Sequence, residues 1–187
     1  MPLPCFGDVQ AWSPDVSSDD SGAEPFTTIR APGTYLLLLH LPEPSRQQVG
    51  RLGPVLLPAG WYIYVGSALG GLGPRLRRHV SLEKRPHWHI DTLRAVAMLT
   101  AIAVRVGPER VECAVAAQVA TLSGAALPVP RFGSTDCRCR AHLVHFPTAP
   151  DLHLDSSWRV RSLVDQVQGI GFGSDGTSGV PSTGTAS

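Results

Sequence analysis

Long apolar runs, leader-like features and cysteine are all scarce in this chain, and each shortage excludes a class of protein. No stretch of about 20 apolar residues occurs, so no segment is suited to span a bilayer as a helix. The N-terminus has no basic region followed by an apolar run, the mark of a secretory leader. A soluble, cytoplasmic protein without a membrane partner is therefore expected. Cysteine occurs only at Cys5, Cys113, Cys137 and Cys139. Without a secretory signal these read as reduced thiols or metal ligands rather than a disulfide framework.

Net charge is also small, +1 with the histidines neutral, but it is unevenly spread. Residues 1–30 carry Asp8, Asp15, Asp19, Asp20 and Glu24 against Arg30 alone. Residues 148–187 carry Asp151, Asp155, Asp165 and Asp175 against Arg159 and Arg161. The middle, residues 31–147, holds 13 basic and 6 acidic residues, a net of +7. Such a segment attracts polyanions, nucleic acid among them, although solvated Arg-rich helix faces would give the same count.

With 187 residues, 43% of them hydrophobic, the chain suits one core rather than two. Residues 1–30, rich in Ser, Asp, Gly and Pro, read as a disordered acidic leader. Residues 148–187 read as a poorly ordered tail that becomes low-complexity Gly/Ser/Thr from about Gly169, with a short helix allowed between Asp151 and Gln168. The domain is expected over 31–147.

Within it, Gly33 to Leu41 is an apolar run stopped by Pro42 and Pro44, which fits a buried strand. Trp61 to Val65 is aromatic and β-branched, entered through Pro58-Ala59-Gly60 and left through Gly66-Ser67, so it reads as a second strand paired with the first. Pro74 opens a helix that carries Arg75, Arg77, Arg78 and His79, with positions 75 and 79 on one face. A helix from about His89 follows, then a strand at 101–106 stopped by Gly107-Pro108. An Ala-rich helix over 109–122 and a closing strand at 141–146 complete the order β, β, α, α, β, α, β. The class is α+β.

Two triplets, Gly33-Thr34-Tyr35 and Tyr64-Val65-Gly66, resemble the strand signatures that give the GIY-YIG nuclease superfamily its name. Arg75 follows Tyr64 by 11 positions, close to that family's spacing, His79 lies one helical turn on, and Glu112 supplies an acid on a later helix. The runs Tyr64 to Gly70, Arg77-Arg78-His79, His87 to Asp91, Glu112-Cys113 and Phe132 to Cys139 are similar to the Uri-type branch. Thr34 stands where the name-giving Ile is found, and the chain contains no Asn, a residue many relatives use near the site.

The resemblance implies a compact antiparallel sheet of three central strands flanked by helices, with the closing strand an additional C-terminal one. It implies a divalent-metal-dependent endonuclease hydrolysing nucleic-acid phosphodiesters, DNA being the expected polymer, in repair or processing. Tyr35, Tyr64, Arg75, His79 and Glu112 would be its catalytic residues, and Glu112 would ligate Mg²⁺ or Mn²⁺. Arg75 suits the scissile phosphate because its guanidinium is always charged and donates a fork of hydrogen bonds. Tyr64 is the candidate base for water, given cations nearby to lower its pKa, with Tyr35 orienting water or phosphate and His79 assisting proton transfer. Gly66, Ser67, Arg77, Arg78, Lys84, Arg85 and His87 are candidate substrate contacts. The plainer reading makes the tyrosines packing residues, Arg75 a surface cation and Glu112 a first-turn acid favoured by the helix dipole.

Cys113, Cys137, Cys139 and His142, with His145 nearby in sequence, are donors of the kind that bind zinc. In a strand, however, C-x-C would send the two thiols to opposite faces, which favours packed thiols. His87-Trp88-His89-Ile90-Asp91 is a further ligand set or, more simply, a turn opening a helix with Trp88 in the core. The competing functions are a catalytically silent nucleic-acid-binding protein and a zinc-stabilised interaction module. No motif identifies a protein partner.

Overall fold

The computed structural model describes residues 10–12, 25–82, 85 and 87–163. Its centre is strand β2, Gly33–Leu41. The Leu run forms a strand because the sheet is covered on both sides, and eight of its nine residues are buried. Strand β5, Gly60–Ala68, pairs antiparallel with one side of β2, and β6, Met98–Val106, with the other. The expected pairing of the first two long strands is thus present.

Two short strands extend this trio. β7, Leu143–Phe146, lies outside β5, and β9, Arg159–Ser162, lies outside β6, so the five-stranded antiparallel sheet runs β7-β5-β2-β6-β9. Helix α1, Leu72–Val80, and helix α2, His89–Arg94, contribute to one core with Leu37, Leu39 and Leu41. Helix α3, Glu112–Val119, packs with Leu36, Leu38, Ile63 and Val65 in the other. The two cores are the odd and even positions of the same strands, the period-two alternation of a pleated sheet.

Several elements depart from the sequence reading. Residues 45–57 form a hairpin of β3, Ser45–Val49, and β4, Gly53–Leu57, closed by a 3-10 turn at Gly50–Leu52. The helix allowed over 151–168 is absent from its described part, where β8, Leu152–Leu154, and β9 stand instead. The folded unit therefore passes the expected boundary at 147, because the unpaired edge of β6 gives β9 a backbone partner. At the other end, strand β1, Gln10–Trp12, pairs with β8, and Phe26 and Ile29 are buried in the core, so parts of the expected leader belong to the fold. The low-complexity stretch from Gly169 lies outside the described residues. Among the described residues no helix is long and apolar enough to cross a membrane.

Candidate active site

Antiparallel register brings the two signature tyrosines together. Tyr35 on β2 faces Gly66 on β5, and Tyr64 lies two residues back on the same face, so the two rings are diagonal neighbours with centroids 6.4 Å apart. Each ring lies against a glycine. A Cβ on Gly66 would run into the Tyr35 ring, and one on Gly133, whose φ is +73°, would stand 2.7 Å from Tyr64 Cε2. The glycine of Tyr64-Val65-Gly66 is thus the floor under the first tyrosine.

His79 is fully buried on α1, and its Nε2 is 2.9 Å from Tyr35 Oη. Burial raises the Tyr35 pKa well above its ordinary value, with the Arg75 charge opposing it. Burial likewise raises Tyr64, and the neighbouring Tyr35 and Glu112 add to the effect. The expectation that cations lower Tyr64 is not met, because desolvation outweighs Arg75. Both tyrosines are hydroxyls at neutral pH.

Arg75, one turn before His79, lies over the Trp88 ring at 4.2 Å, and Arg78 lies 4.7 Å from the same ring. The loop holding Trp88 is built around the buried carboxylate of Asp91, whose Oδ2 accepts from His87 N at 2.9 Å, Trp88 N at 3.1 Å and Arg78 Nη2 at 2.6 Å. Trp88 is half-buried: it packs against the core, as expected, and also lines the cleft. With the chain folded around Asp91, the uncovered part of the indole is a platform for guanidinium.

Glu112 opens α3, the helix on the far face, yet its carboxylate reaches the end of β5, where Ser67 Oγ donates to Oε2. His142 Nδ1 lies 2.8 Å from Oε1. Burial opposes ionisation of Glu112, but the contacts with His142 and Ser67, aided by the Arg75 charge, hold its pKa below the usual carboxylate value.

These groups meet in an open cleft of about 500 Å³ lined by Tyr35, Tyr64, Gly66, Ser67, Arg75, His87, Trp88, His89, Glu112 and Asp136 among others. His79 stands behind Tyr35 and does not line it. Three expected substrate contacts are placed differently. Arg77 points away and donates to the Thr27 carbonyl at 2.7 Å, because it falls on the opposite side of α1 from Arg75. Arg78 is committed to Asp91 and to the Arg85 carbonyl, and it supports Trp88. Arg85 is exposed and does not line the cleft, while Lys84 lies outside the described residues. Trp88 and Asp136 were not named as site residues from the sequence, and His89 was named only within the His87 to Asp91 ligand set. The run Phe132 to Cys139 was the one signal that pointed at Asp136.

The four zinc-type donors converge. One ligand atom each from Cys113, Cys137, Cys139 and His142 lies within 4.8 Å of the others, so the cluster can hold a metal ion. Residues 137–139 lie in a bent loop, which removes the objection drawn from strand geometry. His145 turns instead to the Ala59 carbonyl, 2.9 Å away. The set His87, His89 and Asp91 forms no such cluster among the described residues. Burial, followed by the neighbouring Cys139 and Cys137 thiols, pushes the Cys113 thiol up to about 12.

No curated protein and no solved structure matches the chain. The family model described as domain of unknown function DUF123 matches residues 34–164, a span that opens at the first tyrosine strand and closes just past β9, and the chain belongs to that family.

Proposed function

We propose that the protein is an endonuclease of GIY-YIG type that hydrolyses nucleic-acid phosphodiesters, with DNA as the expected polymer. One observation carries the reading: Tyr35, Tyr64, Arg75 and Glu112, drawn from four separate elements, line one open cleft. The resemblance of the two tyrosine triplets supports it, as does the basic excess of residues 31–147.

The donor set fits a hard divalent cation. Glu112 is an ionised carboxylate in a water-accessible cleft, and Ser67 and His142 occupy only part of its acceptor capacity. Glu112 would hold Mg²⁺ or Mn²⁺ with water completing the shell. When bound, such an ion supplies Lewis-acid polarisation of the phosphate and stabilises the leaving oxygen.

The chain's own residues do the rest. Arg75, held against Trp88, presents its guanidinium to the phosphate as negative charge grows there. Tyr64, kept protonated by burial, orients the phosphate by donating a hydrogen bond, while Tyr35, whose own proton faces His79 Nε2, orients the attacking water by accepting one at Oη. Tyr35 stands between the cleft and His79, so a proton accepted from water at Oη is matched by one passed to His79 Nε2, and the tyrosine stays neutral.

The test is nicking of supercoiled plasmid and a branched-oligonucleotide panel with Mg²⁺ or Mn²⁺. Wild type should cut, while Glu112→Gln and Arg75→Ala, shown to be folded, should not. Salt-sensitive binding without cutting would favour the silent nucleic-acid-binding reading, which gains from the prior engagement of both Glu112 oxygens.

A further inference from the structure

Cys113 sits in the first turn of α3, while Cys137, Cys139 and His142 come from the segment leading into β7, and their donor atoms meet beside Glu112. We propose that these four residues bind one Zn²⁺ as a closed structural site, and that through His142 the ion fixes the Glu112 carboxylate at the cleft. The first half stands apart from the nuclease reading; the second concerns the placement of the same carboxylate that reading uses.

The geometry is close to what the ion needs. Tetrahedral zinc with bonds of about 2.3 Å to sulfur and 2.0 Å to nitrogen separates sulfurs by about 3.8 Å and sulfur from nitrogen by about 3.5 Å. Cys137 Sγ is 3.5 Å from His142 Nε2, and no pair in the set exceeds 4.8 Å. Three thiolates and an imidazole select zinc over Mg²⁺ or Mn²⁺, and four protein donors complete its shell.

The loop is held in shape for this. Arg131 Nη1 donates to the carbonyls of Cys137 at 2.7 Å and Cys139 at 3.0 Å, and Ser134 Oγ donates to the Cys139 carbonyl at 3.0 Å. The packed-thiol alternative fails on exposure, since Cys113 is exposed and the other two are only partly covered.

Loading is balanced by release of one proton from each of three thiols to water, with His142 binding neutral through Nε2. The ring proton then belongs on Nδ1, the atom 2.8 Å from Glu112 Oε1. At that distance the pair still falls short of a well-directed hydrogen bond, and Nε2 faces the Cys137 thiol. Ligation leaves the ring one tautomer, the one that donates to the carboxylate.

The full chain, purified without a histidine tag, should contain one zinc. Cobalt in its place should give the strong visible bands of a tetrahedral site with thiolate charge transfer, and Cys139→His should keep metal while losing about a third of that charge-transfer intensity. A folded chain that takes up neither zinc nor cobalt overturns the site. Nitrogen-15 spectra of the zinc form should show His142 as the Nδ1–H tautomer, with that signal shifting in Glu112→Gln. Bound zinc with an unmoved Nδ1 signal overturns the link to Glu112. None of these readouts depends on cleavage, so a failed nuclease assay leaves them standing.

Discussion

On one face of the central sheet Leu36, Leu38, Ile63, Val65, Ala101 and Ala103 meet α3, and these contributors are all apolar. On the other face the alternating residues of the same strands include Tyr35, Tyr62 and Tyr64, with buried His79, Asp91 and Arg94 on the helices beyond. Both faces are closely covered, yet only the second tolerates so many polar groups, because its donors and acceptors meet: Tyr35 with His79, Asp91 with Arg78, Arg94 with the His79 carbonyl. A buried polar atom left unpaired costs about 1–3 kcal/mol. A two-faced strand can thus assign cohesion to one side and chemistry to the other. Glu112 crosses the divide, belonging to the helix of the apolar face but reaching around the end of β5 to the cleft.

Paired truncations across β2 test the division first. Leu37→Ala and Leu38→Ala should each cost about 2–5 kcal/mol in chemical denaturation. Only Leu37→Ala, on the tyrosine face, should lower cleavage per folded molecule. Equal loss of activity in both would break the comparison.

Arg75→Ala should slow cleavage by about 10²–10³-fold, the effect of removing one charge-stabilising donor. Val115→Ala, on the apolar face, should alter stability and leave the rate of the folded fraction unchanged. Gly66→Ala should cost about 1–3 kcal/mol by overpacking and displace the Tyr35 ring, visible as a changed ring resonance and a weakened contact with His79. Unchanged Tyr35 signals would refute the assigned role of that glycine.

Trp88→Ala should weaken nucleic-acid binding by a few-fold, given about 0.5–1 kcal/mol for a guanidinium on an exposed ring. Trp88→Phe should restore most of it. The smallest effect is in pH dependence. Glu112 is held below its ordinary pKa, so the stability it contributes is complete above about 4.5 and is lost as pH falls through the lowered value. Acid denaturation of Glu112→Gln should lack that increment, and identical profiles would contradict it.

The long strands were legible because their composition and punctuation are local: the Leu run ended by prolines, and the Trp61 to Val65 aromatic stretch. The β3–β4 hairpin was not, since Ser45-Arg46-Gln47-Gln48-Val49 is polar on its exposed side and offers few apolar residues to alternate. β9 was hidden for a related reason, as its pairing energy comes from the free edge of β6 and not from Arg159-Val160-Arg161-Ser162 itself. In the site, Tyr35, Tyr64, Arg75 and Glu112 could be chosen by type and order. Arg77 was misplaced because it falls on the opposite side of α1 from Arg75 and turns to the Thr27 carbonyl. The cleft-lining part of Trp88 was missed because one carboxylate inside a loop decides how that side chain is presented.

By itself the sequence determined the α+β class, the long strands, the helix carrying Arg75 and the short list of chemically capable residues, all properties of neighbours along the chain. The tertiary structure alone decided that Glu112 meets Ser67 and His142, that Trp88 lies under Arg75, and that Cys113 joins Cys137 and Cys139. Those meetings join segments distant in sequence, and their geometry depends on sheet register and helix placement, which no local pattern encodes.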